Sequence, residues 1–177
     1  MATPAPVAPD SRGEVSGDRR IAEARGQGQL LADLAWRRLL AAGLADAGEI
    51  ESSLTTIDHI IAETQQSGIY AFQAENYRIR GEILLKHDPT NTAPAEEALL
   101  TAIAIAQQQK AKSFELRAAL ALARLYQNTN RAADAYAALA PALEGFSPTP
   151  EFPEIEQAQR LCATIEAKGE WRMASSE

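Results

Sequence analysis

Between residues 113 and 141, small and large apolar side chains recur at three- and four-residue steps, in two runs parted by a polar cluster. Leu116, Ala119, Leu120, Ala123 and Tyr126 make one stripe, and Ala132, Ala135, Tyr136, Leu139 and Ala140 make the next. That spacing places each set on one face of a helix. The intervening residues 127–130 (QNTN) compete with helical hydrogen bonding and tolerate turn geometry, so the stretch predicts a helical hairpin. Small Ala123, Ala135 and Ala142, set against Leu122, Tyr126 and Leu139, allow its two arms to approach closely.

The same pattern recurs upstream. Residues 29–44 carry Leu30, Leu31, Leu34, Ala35, Leu39 and Ala42 at helical spacing, and residues 50–68 carry Ile50, Leu54, Ile57, Ile60 and Ile61. A turn at residues 45–48 joins them into a first hairpin. A second hairpin is predicted from residues 70–86, with Tyr77, Gly81, Leu84 and Leu85, and residues 97–109, with Ala98, Ala102 and Ile105. Its connection, residues 87–94, contains Asp88-Pro89 and Ala93-Pro94, each expected to break helix before the proline. The small positions Ala41, Gly81 and Ala123 lie 40 and 42 residues apart, and Ser53 takes the matching place on the second helix. After the proline-stiffened residues 145–153, Ile155, Ala158, Leu161, Cys162 and Ile165 mark a last helix over residues 154–167. The first 28 residues offer almost no large apolar side chain to offset the entropy of ordering, which predicts a disordered leader over 1–28. The folded domain is expected over 29–167 and a frayed tail over 168–177.

Leu122, Ala123, Tyr126, Ala135, Leu139 and Ala142 fall at the large, small and aromatic positions of the tetratricopeptide consensus, and the unit resembles a repeat of that type. Such a hairpin cannot bury its apolar face alone and needs neighbours. The expected fold is therefore all-α: a right-handed stack of about three tetratricopeptide-like hairpins with a C-terminal capping helix. Three strings sharpen the resemblance: 77–85 (YRIRGEILL), 111–125 (AKSFELRAALALARL) and 139–156 (LAPALEGFSPTPEFPEIE). Together they resemble the C-terminal repeat region of bacterial proteins that join a class III adenylate or guanylate cyclase domain to an ATPase domain and a tetratricopeptide-like tail. The paired aspartates of such a cyclase and the Gly-rich phosphate loop of such an ATPase are absent from the chain. The resemblance implies a non-catalytic interaction module, either free-standing or the sensory and regulatory tail of such a protein.

Composition narrows the chemistry. The net charge of −7 argues against nucleic acid as the partner. There is no apolar run long enough to span a bilayer and no secretory signal, so a cytoplasmic location is expected. His59 and His87 stand apart from each other and from Cys162, so neither a metal nor a cofactor is expected. Cys162 reads as a small buried hydrophobe. Glu49, Glu51, Glu96 and Glu97 sit in first turns, where carboxylates complement the helix dipole. The arginines are more informative. Transferring the groove positions of tetratricopeptide repeats selects Arg38, Glu75, Arg78, Glu82, Arg117, Arg124, Gln127 and Asn128. These predict a locally basic groove that holds a protein or acidic peptide through arginine–carboxylate contacts. The alternative is that its Arg and Glu side chains simply pair across a solvated face. The apolar edge at Leu30, Leu31 and Leu34 would allow a homodimer through the first hairpin.

Overall fold

The structure is a computed structural model and describes the backbone over residues 11–174, with side chains described at residue 26 and over 28–168. Seven helices and no strand are present among the described residues: α1 (Ser11–Asp46), α2 (Ile50–Ser67), α3 (Gln73–His87), α4 (Ala93–Gln108), α5 (Lys112–Asn128), α6 (Ala132–Leu143) and α7 (Pro153–Ala174). The described residues divide into two units, with the boundary between Trp36 and Arg37. Residues 1–10 of the expected leader, and 175–177 of the expected tail, lie outside the described residues. Helix α1 starts at Ser11 rather than near Gln29, and α7 runs on to Ala174. No proline interrupts residues 11–46, so nothing blocks continuation of the backbone ladder there.

Within the second unit, successive helices pack as α2 on α3, α3 on α4, α4 on α5, α5 on α6 and α6 on α7. Alternate helices also touch, α3 with α5 and α5 with α7. Three of the connections close identically. Glu49 donates its backbone N–H to Leu44 O (2.9 Å), Ala111 to Ala106 O (2.9 Å) and Arg131 to Tyr126 O (2.7 Å). Each such bond spans a residue with positive φ: Gly48 (87°), Lys110 (55°) and Asn130 (59°). This is the Schellman closure, which satisfies carbonyls that a helix end leaves open.

The apolar stripes fall where the spacing put them, with instructive exceptions. Ile57, Ile60 and Ile61 of α2 are buried, as are Ala74, Ile79 and Ile83 of α3. Ser53 packs at the small-residue position and donates its hydroxyl to Ala41 O at 2.6 Å. Helix α5 buries far more than a stripe: Leu116, Ala118, Ala119, Leu120, Ala121, Leu122, Ala123, Leu125 and Tyr126 are all inside, because α3, α4, α6 and α7 surround it. Burial of one such Leu contributes about 2 kcal/mol. By contrast Leu39 is 62% exposed and Tyr136 37% exposed, so neither belongs to the core face assigned to it. Pro94 does not end a helix but opens α4, which begins at Ala93 rather than Glu97. A first-turn N–H has no intrahelical partner, so proline costs nothing there. In the loop before it, Asp88 accepts from the backbone of Thr90 (3.0 Å) and Asn91 (3.2 Å), an Asx turn.

A polar clamp ties α4 to the α5–α6 turn. Glu96 accepts from the Tyr126 hydroxyl at 2.8 Å and from Arg131 Nη1 at 2.8 Å, while the Arg131 guanidinium lies 4.1 Å from the centre of the Tyr126 ring. Among the described residues no helix is long and apolar enough to cross a membrane.

Candidate functional site

Glu75, Arg78 and Glu82 lie three and four residues apart on α3, which puts them on one side of that helix. Arg117 and Arg124 are seven apart on α5 and share a face in the same way. The contact between α3 and α5 brings the two faces together, and Arg38 joins them from α1. The result is a cleft of about 420 Å³ with an apolar floor of Ala42, Ala45, Ile79 and Ile83 and a rim that includes Arg38, Glu75, Arg78, Glu82 and Arg117. A second hollow of about 210 Å³ shares Arg78, Glu82 and Arg117 and adds Arg124, Glu154 and Gln157.

Glu75 is the electrostatic centre. Its side chain is 7% exposed, and it accepts from Arg78 Nε (2.9 Å) and Arg78 Nη2 (2.8 Å), with Arg117 Nη1 in ion-pair contact at 2.9 Å. Arg78, 12% exposed, also reaches Glu82 through Nη1 at 2.5 Å. Arg117 Nε lies 3.4 Å from Glu154 at the start of α7. Burial alone would raise the Glu75 pKa, but the Arg78 hydrogen bonds and the charges of Arg78, Arg117 and Arg38 outweigh it and hold the carboxyl below its usual range. Burial likewise disfavours charge on Arg78, and its bonds to Glu75 and Glu82 more than restore it. Arg38 is lowered, first by burial, with Glu75 opposing and Arg117 and Arg78 repelling. Its guanidinium stacks 4.6 Å from the centre of the Phe72 ring, and Phe72 in turn packs on Phe114 at 6.0 Å. Among the described residues Arg38 has no carboxylate within ion-pair distance.

Of the residues expected to line the groove, Arg38, Glu75, Arg78, Glu82 and Arg117 line the larger cleft, Arg124 lines only the smaller hollow, and Gln127 and Asn128 line neither. Ten residues beyond Arg117, Gln127 is turned roughly 80° off its face, and Asn128 returns to that face only about 16 Å along the helix. The basic excess is narrow. Arg38, Arg78, Lys86, Arg117 and Arg124 are set against Asp46, Glu75, Glu82 and Glu154. Pairing of Arg78 with Glu75 does occur, yet within the protein rather than across a solvated face. The spacing along the chain gave no sign of Phe72, Glu154 and Gln157. Glu154 follows Pro153 in a first turn, where an acidic residue needs no explanation beyond the helix dipole. Gln157 accepts from Arg124 Nη2 at 2.6 Å.

Elsewhere, His59 and His87 are both exposed, and His87 Nε2 is 3.7 Å from Glu51. No group of three or more His, Cys, Asp or Glu side chains converges among the described residues. Cys162 is half-buried against the core, and burial together with Glu166 raises its pKa, which keeps it a thiol. Compared with known protein families, characterised proteins and solved structures, the chain finds no match.

Proposed function

We propose that this chain is a non-catalytic interaction module that holds an acidic peptide segment of a partner protein in the cleft of α1, α3 and α5. The architecture that fits this role is a stack of tetratricopeptide-like hairpins closed by α7. The alternation of contacts, α3 with α5 and α5 with α7 beside the sequential pairs, supports that reading. The observation that carries the function is the convergence of Arg38, Arg78 and Arg117 from three helices on one cleft with an apolar floor. Arginine forks match carboxylates bidentately, and an apolar floor accepts the aliphatic stems between them.

Arg78 is unsuited to a test by charge reversal, since a second acid beside buried Glu75 would unfold the site. Neutralising Arg38 and Arg124 spares that centre. Fluorescence anisotropy with labelled hexaglutamate, at fixed ionic strength, should show Arg38→Gln with Arg124→Gln binding about tenfold more weakly than the parent chain. Equal binding refutes the groove.

A further inference from the structure

The two arginines at the heart of the cleft are each shared between an inner and an outer carboxylate. Arg78 gives Nε and Nη2 to Glu75 and Nη1 to Glu82; Arg117 makes ion pairs with Glu75 through Nη1 and, at longer range, with Glu154 through Nε. The inner carboxylate is 7% exposed, accepts two hydrogen bonds from Arg78 and pairs with Arg117, so it is fixed by burial and by charge together. The outer two differ in kind. Glu82 is 42% exposed and Glu154 31% exposed, each is bound to one donor, and the Glu154 contact is long at 3.4 Å. Glu82 lines both hollows and Glu154 the smaller one. A carboxylate entering the cleft therefore meets guanidinium edges already occupied by the protein's own acids.

We infer that Glu82 and Glu154 are internal stand-ins for the partner's carboxylates, displaced when an acidic peptide binds. The inference rests on the peptide-binding reading above and adds a selection rule to it. Glu82 and Glu154 are each part-exposed, and a pair with such a partner is worth roughly 0.2–1 kcal/mol; buried Arg78 is not left unpaired, because the incoming carboxylate takes the place of Glu82. An incoming carboxylate takes over donors already oriented by Glu75. One such exchange is nearly even and gains little. A segment with two or more acidic residues exchanges both stand-ins in a single encounter, and the second exchange is intramolecular. Arg38, with no carboxylate partner of its own among the described residues, supplies the surplus attraction. The site thus ignores isolated acidic residues and selects acidic clusters. Release of Glu154 also removes a link between α5 and the first turn of α7.

The test compares labelled hexaglutamate binding to the parent chain, to Glu82→Gln with Glu154→Gln, and to a charge-matched control, Glu97→Gln with Glu144→Gln, at exposed positions away from the cleft. Emptying the stand-ins should tighten binding about fivefold, and the control about twofold or less. If the double variant binds no tighter than the control while Arg38→Gln with Arg124→Gln still weakens binding, the inference falls and the groove stands. If the Arg38 and Arg124 changes leave binding equal, or if neither the parent chain nor the double variant binds, both fall. Circular dichroism confirms folding. Should the double variant fail to fold, Glu82→Gln alone against Glu97→Gln carries the same comparison.

Discussion

Gly81 is the tightest point between α3 and α4, and replacing it with Ala puts two helical effects in direct opposition. Alanine favours the helix by about 1 kcal/mol through backbone entropy. A methyl built at Gly81 would stand 2.8 Å from Leu99 Cγ, 3.0 Å from Leu99 Cδ2 and 3.2 Å from Ala95 O. The first of these is shorter than carbon atoms tolerate. Leu99 is fully buried and cannot swing aside, and the third atom is backbone. Overpacking of this kind costs about 1–3 kcal/mol, so the contact outweighs the propensity and Gly81→Ala destabilises by about 1 kcal/mol. For a chain of this size the melting temperature falls by about 2–4 °C. Urea unfolding followed at 222 nm measures it, and a cycle with Leu99→Ala isolates its cause. That single change costs about 2–5 kcal/mol. In its background the Cγ clash is gone, and Gly81→Ala should turn neutral or stabilising. A stabilised single variant, or a penalty that persists without the Leu99 side chain, refutes the assignment of the cost to this contact.

Glu75→Gln should cost about 3 kcal/mol or more in urea unfolding, because it leaves Arg78 buried with half its partners; a change under about 1 kcal/mol would show the network to be dispensable. The Glu75 pKa is depressed on folding. Its stabilisation is therefore complete above the unfolded value of about 4.3 and is lost as pH falls through the lower folded value. The parent chain should lose stability below about pH 4 more steeply than Glu75→Gln does, and parallel profiles would count against the linkage. At the two closures that hold a side chain in the left-handed region, Lys110→Gly and Asn130→Gly should each leave stability unchanged or raise it, by up to about 1 kcal/mol for Lys110 and less for Asn130. A loss of more than about 0.5 kcal/mol at Lys110 would mean that its side chain contributes a contact larger than the strain.

The helices and their number were legible because three- and four-residue spacing is a local property that packing then reinforces. The Leu116, Ala119, Leu120, Ala123 and Tyr126 stripe is inside as expected, and Ala41, Gly81 and Ala123 are buried at the close approaches. What periodicity could not register is how many neighbours a helix has. Ala118, Ala121 and Leu122 lie off the stripe and are buried only because four helices surround α5. Leu39 fits its stripe and is exposed. Pro94 reads as a breaker in the sequence, which alone does not say on which side of a helix start a proline falls. In the cleft, the arginine positions came from the groove positions of the tetratricopeptide resemblance, and spacing along α3 and α5 then explains why they share a face. Their division into inner and outer carboxylates depends on burial, which separates Glu75 from Glu82 although both are glutamates on one helix.

Because α5 is the one helix in contact with α3, α4, α6 and α7, it cannot peel away without breaking contacts with several helices at once. The amide hydrogens on its buried face exchange with solvent only when the helices around it come apart, whereas α2 and α7 each have fewer neighbours to leave. The second unit consequently has a centre in the cooperative sense. A defect in α5 is felt from α3 to α7 at once, while one near either end can be confined to the helix that carries it.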